Sequence, residues 1–254
     1  GISNCTGVTG TSYCTSTTDP NGHATVDHFD ALDRLIAEVR PGGQQTIYTY
    51  DPAGNRVSST DAMGQTTSFN YDHANRLTAI GYSSAATPGV SYTYNADGER
   101  TAMSDGTGMT SYQYDADGRL TSTTNGAGAT VAYQYDGLGD ATRLTYPNGK
   151  NVDRTFNGAD RLTAVTDWNG NTTNFSYDAD GNVATTTYPN GDAVNSTYDG
   201  NDQLLTTAAM DGGTALAGLS DTRDADGLLT QEVASGALSG TTNYSYDANN
   251  QLTQ

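Results

Sequence analysis

A repeat of about 21 residues constrains the fold more than any other feature of this sequence. An aromatic residue followed by Asp or Asn recurs at ten places, and a degenerate copy at Arg223-Asp224 makes eleven. Six of the ten successive spacings are 21 residues, and the others range from 20 to 25. A period of roughly 20 to 50 residues is typical of solenoids and repeat arrays. The ten aromatic residues are Phe29, Tyr50, Tyr71, Tyr94, Tyr114, Tyr135, Phe156, Tyr177, Tyr198 and Tyr246.

Each copy also carries turn residues. The fourth residue after the aromatic is Gly, Asn or Asp, and a second Gly lies seven residues before the aromatic in seven copies. Two turns in about 21 residues predict two short strands, which is a β-hairpin. In the strand before one turn, Thr67, Phe69 and Tyr71 share a face because side chains alternate along a strand. We therefore predict an all-β fold of about eleven 21-residue β-hairpins that form a long, coiled antiparallel sheet.

The aromatic residues and the acids that follow them have different predicted roles. Aromatic residues two positions apart, as at Tyr48 and Tyr50, predict an aromatic ladder along one face. Cross-strand aromatic pairs would contribute roughly 0.2–1 kcal/mol each. Asp accepts hydrogen bonds from backbone N–H groups two residues on, and Gly at the fourth position supplies a positive φ. The predicted turn-closing acids are Asp51, Asp72, Asp115, Asp136, Asp178, Asp199 and Asp247.

The motif Tyr-Asp-x-x-Gly-Arg-Leu-Thr, present at Tyr114–Thr121, resembles the Rhs/YD-repeat family. Its members include bacterial Rhs polymorphic toxins, shell subunits of insecticidal toxin complexes, wall-associated proteins and animal teneurins. The resemblance covers residues 20–254 and implies a β-solenoid strip that coils into a hollow shell, which can enclose a toxin. The chain has no Asp-Pro-x-Gly cleavage motif near its C-terminus and no toxin domain after the repeats. The resemblance therefore supports a shell segment of a larger protein and no toxin activity.

Residues 1–19 precede the repeats and are predicted to form an N-terminal cap, with the strip occupying residues 20–254. Cys5 and Cys14 are the only cysteines and are separated by eight residues. In an extracellular protein they would form a disulfide loop, and the alternative is two free thiols. Two cysteines without further ligands do not make a structural zinc site.

Composition excludes several classes of function. The 29 acidic and 11 basic residues give a formal net charge of −18, which disfavours contacts with nucleic acid phosphates. No apolar run approaches the roughly 20 residues that a membrane span needs. Catalytic motifs such as Gly-x-Ser-x-Gly are absent, and the paired carboxylates recur in every repeat, whereas a catalytic pair should be singular. We expect a non-enzymatic, extracellular or cell-surface protein of bacterial origin.

Three local features allow alternatives. Asp-Ala-Asp-Gly at residues 115–118, 178–181 and 224–227 resembles the start of a calcium loop but lacks the later Glu, so we expect no cofactor, with calcium as the alternative. Trp168 lies in an Asp-Trp-Asn-Gly turn and either packs at a repeat junction or stacks on a glycan. The three histidines are expected at the surface. The less regular stretches Ser83–Val90 and Ala208–Leu219 would be longer loops or contact sites.

The function that these features favour is structural. The strip would form a secreted wall, either a hollow shell around a toxin or other cargo, or an extracellular fibre. Adjacent repeats are the main partners, and unpaired strands at the strip's ends would permit end-to-end self-assembly. The alternative function is a binding module for surface carbohydrate or a partner protein.

Overall fold

The computed structural model describes residue 5 and residues 7–236 and 239–253. These residues form 22 strands and no helix, as the repeat pattern predicts. The chain divides into two compact units, Gly1–Thr130 and Val131–Gln254. The first unit contains β1 (Tyr13–Thr18), β2 (Ala24–Phe29), β3 (Leu35–Val39), β4 (Gln45–Tyr50), β5 (Arg56–Thr60), β6 (Thr66–Tyr71), β7 (Leu77–Tyr82), β8 (Val90–Tyr94), β9 (Arg100–Asp105), β10 (Gly108–Tyr114) and β11 (Leu120–Thr124).

The remaining strands are of the same kind and, apart from Thr130 at the start of β12, lie in the second unit. They are β12 (Thr130–Tyr135), β13 (Ala141–Thr145), β14 (Asn151–Phe156), β15 (Leu162–Thr166), β16 (Thr172–Tyr177), β17 (Val183–Thr187), β18 (Ala193–Tyr198), β19 (Leu204–Asp211), β20 (Thr214–Arg223), β21 (Leu229–Gly236) and β22 (Gly240–Asn243). Within each unit every strand pairs antiparallel with its neighbours along the chain. Thr, Val and Tyr dominate the strands because branched and aromatic side chains fit a pleated, half-buried surface.

In a regular repeat both turns have the same backbone geometry. In the turn after the aromatic residue (the first turn), Asp51 N–H donates to the Asn55 carbonyl at 2.9 Å and Gly54 N–H donates to the Asp51 carbonyl at 3.1 Å. In the turn before the aromatic residue (the second turn), Asp61 pairs with Gln65 in the same way at 3.0 Å. Each is a three-residue hairpin loop whose last residue has positive φ, as at Gly54 with φ 91°.

A one-residue bulge follows the first turn in ten of the described hairpins. For example, Tyr50 lies opposite Arg56 and Thr49 lies opposite Ser58, so Val57 has no partner on β4. On its other side β5 pairs with β6 through only three residue pairs, which begin at Ser58. The backbone ladder between successive hairpins therefore stops short of the first turn.

Very little of the chain is buried. Among the described residues, only Cys14, His28 and Ala37 fall below a tenth of their possible exposure. The prediction that His28 lies at the surface is therefore wrong: it is 3% exposed, and its Nδ1 lies 3.2 Å from Thr11 Oγ1. In β4, β6, β16 and β18 the aromatic side of the strand is half-buried and the opposite side is mostly exposed. The partner strands β11, β13 and β15 are half-buried along their whole length. The sheet is thus stabilised along its length rather than by a central core.

Two segments outside the regular repeat also form strands. Part of the predicted cap is β1, which pairs with β2 through six residue pairs. The Cys5 and Cys14 sulfur atoms lie 2.08 Å apart as a disulfide. Of the two alternatives for Ala208–Leu219, a longer loop is wrong, because most of this stretch lies in β19 and β20, which are joined by a two-residue turn at Gly212-Gly213. Residues 83–89 do connect β7 to β8 without regular structure.

Candidate functional site

In most repeats that have a tyrosine, its hydroxyl joins the hairpin to the one before it. Tyr50 Oη donates to the Leu35 carbonyl at 2.6 Å, and Tyr94 Oη donates to the Leu77 carbonyl at 2.7 Å. The acceptor is the sixth residue after the preceding aromatic, and it lies beyond the end of the backbone ladder. The same bond, at 2.6–3.2 Å, joins Tyr71 to Arg56, Tyr114 to Arg100, Tyr177 to Leu162, Tyr198 to Val183 and Tyr246 to Leu229.

An arginine at the end of the first turn makes three contacts at once. Arg34 Nε donates to its own Asp30 at 2.8 Å, and Nη1 donates to the Asp51 carbonyl of the next repeat at 3.2 Å. Its guanidinium lies 4.9 Å from the centroid of the Tyr50 ring. Arg76 repeats this arrangement, with its guanidinium 4.8 Å from Tyr94. A cation over an aromatic face at a partly exposed site contributes about 0.5–1 kcal/mol.

Asparagine replaces this arginine in two repeats and makes a different link. Asn55 Nδ2 donates to Asp51 Oδ2 at 2.9 Å and to Asn75 Oδ1 of the next repeat at 2.8 Å. Asn182 Nδ2 likewise reaches Asp202 Oδ1 at 2.7 Å. Either residue type therefore connects one first turn to the next.

The predicted aromatic ladder is wrong in its contacts. Among the described residues, ring-to-ring contacts join Tyr13 to Phe29 and Tyr146 to Trp168, and neither pair joins successive repeat aromatics. Each repeat has two strands, so the aromatic residues of neighbouring repeats are separated by an intervening strand. Arginine fills that space: Arg56 lies 5.4 Å from the Tyr48 ring and 5.1 Å from the Phe69 ring.

The seven predicted turn acids lie at first turns, where their carboxylates accept backbone N–H groups. Asp72 Oδ1 accepts the N–H groups of Ala74 and Arg76, both at 2.9 Å. The backbone N–H of Arg76 is the main cause that lowers the pKa of Asp72, and the side-chain amide of Asn55 does the same for Asp51. Equivalent bonds are made by Asp51, Asp115, Asp136, Asp178, Asp199 and Asp247.

Comparison with known families identifies the repeat. A model described as RHS Repeat matches residues 29–62, 50–87 and 156–193, and one described as Teneurin YD-shell matches residues 82–167. The chain belongs to the RHS/YD-repeat family. Both the family and the fold are those of structural shell repeats, which supports a structural role. No curated protein matches the YD repeats of this chain in sequence.

Solved structures share the fold of these YD repeats at low sequence identity. The chain is similar to the crystal structures titled TcdB2-TccC3 and TcdB2-TccC3-TEV, with TM-scores of 0.69 and 0.67. It is also similar to the structure of the Photorhabdus luminescens Tc holotoxin pore, with a TM-score of 0.68. Identity is 13% in all three, and each match covers 94% of this chain. This chain spans about 15% of the length of the chains that it matches.

The YD repeat that follows Tyr135 departs from the Arg and Asn links between first turns. Asp140 occupies the position of the linking Arg or Asn, and its Oδ2 is shielded from solvent without a hydrogen-bond partner in the described part of the chain. Burial is the main cause that raises the pKa of Asp140, and the charges of Asp136 and Asp160 add to it. This junction contains three acids, with Asp140 at the position where Arg34, Arg76, Asn55 and Asn182 each supply a donor to the next first turn.

The acids that resemble the start of a calcium loop already accept hydrogen bonds from the turn in which they lie. Asp115 Oδ1 accepts two backbone N–H groups, and its Oδ2 accepts Arg119 Nε at 2.7 Å. Within the described residues, no group of three or more His, Cys, Asp or Glu side chains is placed to hold a metal ion. That the chain takes no cofactor stays a prediction, and calorimetric titration with calcium is its test: stoichiometric heat would contradict it.

Trp168 lies in a second turn, on the opposite edge of the strip from the first turns. Its side chain is 48% exposed and meets Tyr146 edge-to-face, with ring centroids 6.0 Å apart. Lys150 Nζ lies 5.0 Å from the Trp168 ring. The sequence singled out Trp168 but not its neighbours. Tyr146 lies in the preceding second turn, so the local Asp-Trp-Asn-Gly motif does not contain it.

Proposed function

We propose that this chain is a segment of a secreted structural wall, built from YD repeats and enclosing a cargo. The observation that carries the proposal is the contact that recurs between successive first turns in both units. Tyr50 and Tyr177 make the same hydroxyl-to-carbonyl bond, at 2.6 Å in each case. A contact that recurs in this way extends a surface, whereas a catalytic or regulatory site needs a singular arrangement.

The low burial of the side chains supports a thin wall with water on both sides. No large side chain of the described residues is fully buried, and the second-turn edge exposes Met63 and Trp168 to solvent. Repeat proteins of this kind gain stability from nearest-neighbour contacts, so their length is not limited by the size of a core.

One observation supports an extracellular location. The Cys5–Cys14 disulfide is of a kind that persists in oxidising compartments. The described residues include no helix long and apolar enough to cross a membrane. The matched structures are of Tc toxin components, and by analogy we propose a toxin or similar polypeptide as the cargo.

Negative-stain electron microscopy of the purified protein tests the proposal. Hollow particles, or open arcs of uniform thickness, are expected for a shell wall. Regular end-to-end filaments would replace the shell with a fibre and keep the structural role. Compact single particles without curved walls or assemblies would overturn the structural proposal.

A further inference from the structure

The second-turn edge of the second unit contains a cleft of about 400 Å³, lined by Tyr146, Pro147, Asn148, Lys150 and Trp168. Its volume is within the range of small-ligand sites, which is roughly 300–1,000 Å³. Two successive second turns form it, with Tyr146 at the start of one and Trp168 within the next. The contacts between first turns, on which the proposed wall rests, use none of these residues.

Lys150 gives this cleft a charge that is rare in the molecule. It is the only lysine in a chain with a formal net charge of −18. Its ammonium lies over the Trp168 ring, and in the described part of the chain no carboxylate forms an ion pair with it. The cleft therefore combines an available cation with aromatic surface.

The aromatic surface in the cleft is available as well. Trp168 is 48% exposed and Tyr146 is 37% exposed although the two rings touch. The electron-rich face of an aromatic ring attracts partly positive hydrogens, such as the C–H groups on one face of a pyranose. Asn148 lies beside them, and its Oδ1 accepts the Lys150 backbone N–H at 3.1 Å, which holds the amide against the turn. An amide at this position can bind a sugar hydroxyl.

We propose that this cleft binds an acidic oligosaccharide in which neutral sugars alternate with uronic acids. A neutral pyranose packs on Trp168, and the carboxylate of the adjoining uronic acid pairs with Lys150. One cation matches one carboxylate, so a glycan with a charge on every second ring suits the site. A uniformly anionic peptide lacks a pyranose face for Trp168 and is repelled by the surrounding acids.

The second turn two repeats further along the chain supplies a natural control. Residues 188–192, Tyr-Pro-Asn-Gly-Asp, repeat residues 146–150, Tyr-Pro-Asn-Gly-Lys, with Asp192 in the place of the lysine. Asn190 Nδ2 donates to Asp192 Oδ2 at 2.6 Å, so this turn presents an anion instead of a cation. Tyr188 is exposed to a similar degree, 43%, yet its turn lacks the charge that the proposal requires.

Intrinsic fluorescence measures binding at this site directly, because Trp168 is the only tryptophan. The probe is a tetrasaccharide of alternating glucuronic acid and N-acetylglucosamine, and the comparison ligand is the neutral tetrasaccharide of N-acetylglucosamine. Saturable change in fluorescence with the acidic probe, weakened by added salt, is expected. Equal affinity for both sugars would overturn the role of Lys150.

Variants then assign the contacts by calorimetry. Lys150→Met should weaken binding of the acidic probe about tenfold or more, as expected for the loss of one charge-assisted bond, and Lys150→Arg should restore most of it. Trp168→Ala should abolish binding, and Tyr188→Ala should leave it unchanged. Unfolding curves of the variants verify that they fold.

Two outcomes contradict the proposal outright. One is a Trp168→Ala protein that folds and still binds the tetrasaccharide. The other is a wild-type protein that binds a short poly-glutamate peptide and not the sugar, which would make the cleft a peptide site. Neither outcome bears on the wall, whose test is particle shape.

Discussion

Single residues hold neighbouring repeats together where the backbone ladder stops. The hydroxyl of Tyr177 reaches the Leu162 carbonyl, and the Arg161 guanidinium lies 5.6 Å from the Tyr177 ring. A neutral hydrogen bond contributes about 0.5–1.5 kcal/mol net. Phe156 lacks the hydroxyl, so its repeat is joined to the preceding one without this bond.

This difference gives a reciprocal pair of substitutions. Tyr177→Phe should lower the free energy of unfolding by about 1 kcal/mol, because the Leu162 carbonyl loses its donor. Phe156→Tyr should raise it by up to about 1 kcal/mol, because the new hydroxyl can reach the Ala141 carbonyl. Urea denaturation measures both. Equal and negligible changes would show that the hydroxyl bond does not stabilise the junction.

The acidic junction at Asp140 predicts a pH-dependent gain. Asp140→Asn should raise the melting temperature at neutral pH, because the amide can donate to Asp136 and Asp160 as Asn182 does to its neighbours. The folded-state pKa of Asp140 is raised, so its ionisation destabilises the fold increasingly as pH rises through that pKa. The difference between variant and wild type should therefore shrink in acid. A constant difference between pH 7 and pH 3 would contradict this.

At the scale of elements, the first turn is constant and the second turn varies. The 20-residue spacing before Tyr114 arises from a two-residue turn between β9 and β10. The 25-residue spacing arises from the long hairpin of β19 and β20, which also ends in a two-residue turn. Variation is confined to the edge that does not carry the tyrosine and arginine contacts.

A close backbone contact between two second turns allows the packing at this edge to be tested. A Cβ on Gly126 would lie 2.5 Å from the Thr107 carbonyl oxygen and 2.8 Å from Gly108 Cα. These are backbone atoms that cannot move aside alone, so Gly126→Ala should destabilise by about 1–3 kcal/mol. Gly158→Ala is the control, because a Cβ there meets nothing within 4 Å. Similar thermal unfolding of the two variants would refute the close contact.

The sequence predicted the hairpins well and their junctions poorly. Turn chemistry is local, so Asp72 and Gly54 could be assigned from their own motif. The bond from Tyr94 to Leu77 spans 17 residues and follows from the bulge, which depends on strand register rather than on residue type. His28 was misplaced because its burial comes from the segment before β1, around Thr11, which has no repeat pattern.

At the scale of the whole molecule, stability is distributed over many equivalent junctions. Such a chain should tolerate the loss of a complete repeat, since each repeat contacts mainly its neighbours. It should not tolerate a one-residue shift in strand register, because such a shift moves every side chain of the strand to the other face of the sheet.

Two deletions distinguish these cases. Removing residues 157–177 joins Phe156 directly to Asp178 and preserves both the aromatic-Asp pair and the Tyr198 bond to Val183. This 21-residue deletion should retain a β-sheet circular dichroism spectrum and cooperative unfolding. Removing residues 157–176 deletes 20 residues and shifts the alternation of side chains between the two faces of the sheet by one residue. The cooperativity of unfolding should therefore fall. Indistinguishable unfolding of the two proteins would argue against repeat stacking in register.

The tyrosine hydroxyl binds a backbone carbonyl, and every amino acid supplies one. The residues that provide this carbonyl accordingly differ in chemistry, as Leu35, Arg56 and Val183 do. A copy of the repeat can therefore be duplicated, lost or exchanged by recombination without requiring a matching mutation in the copy next to it. Such a protein can be lengthened in whole repeats while the residues that supply the carbonyl change.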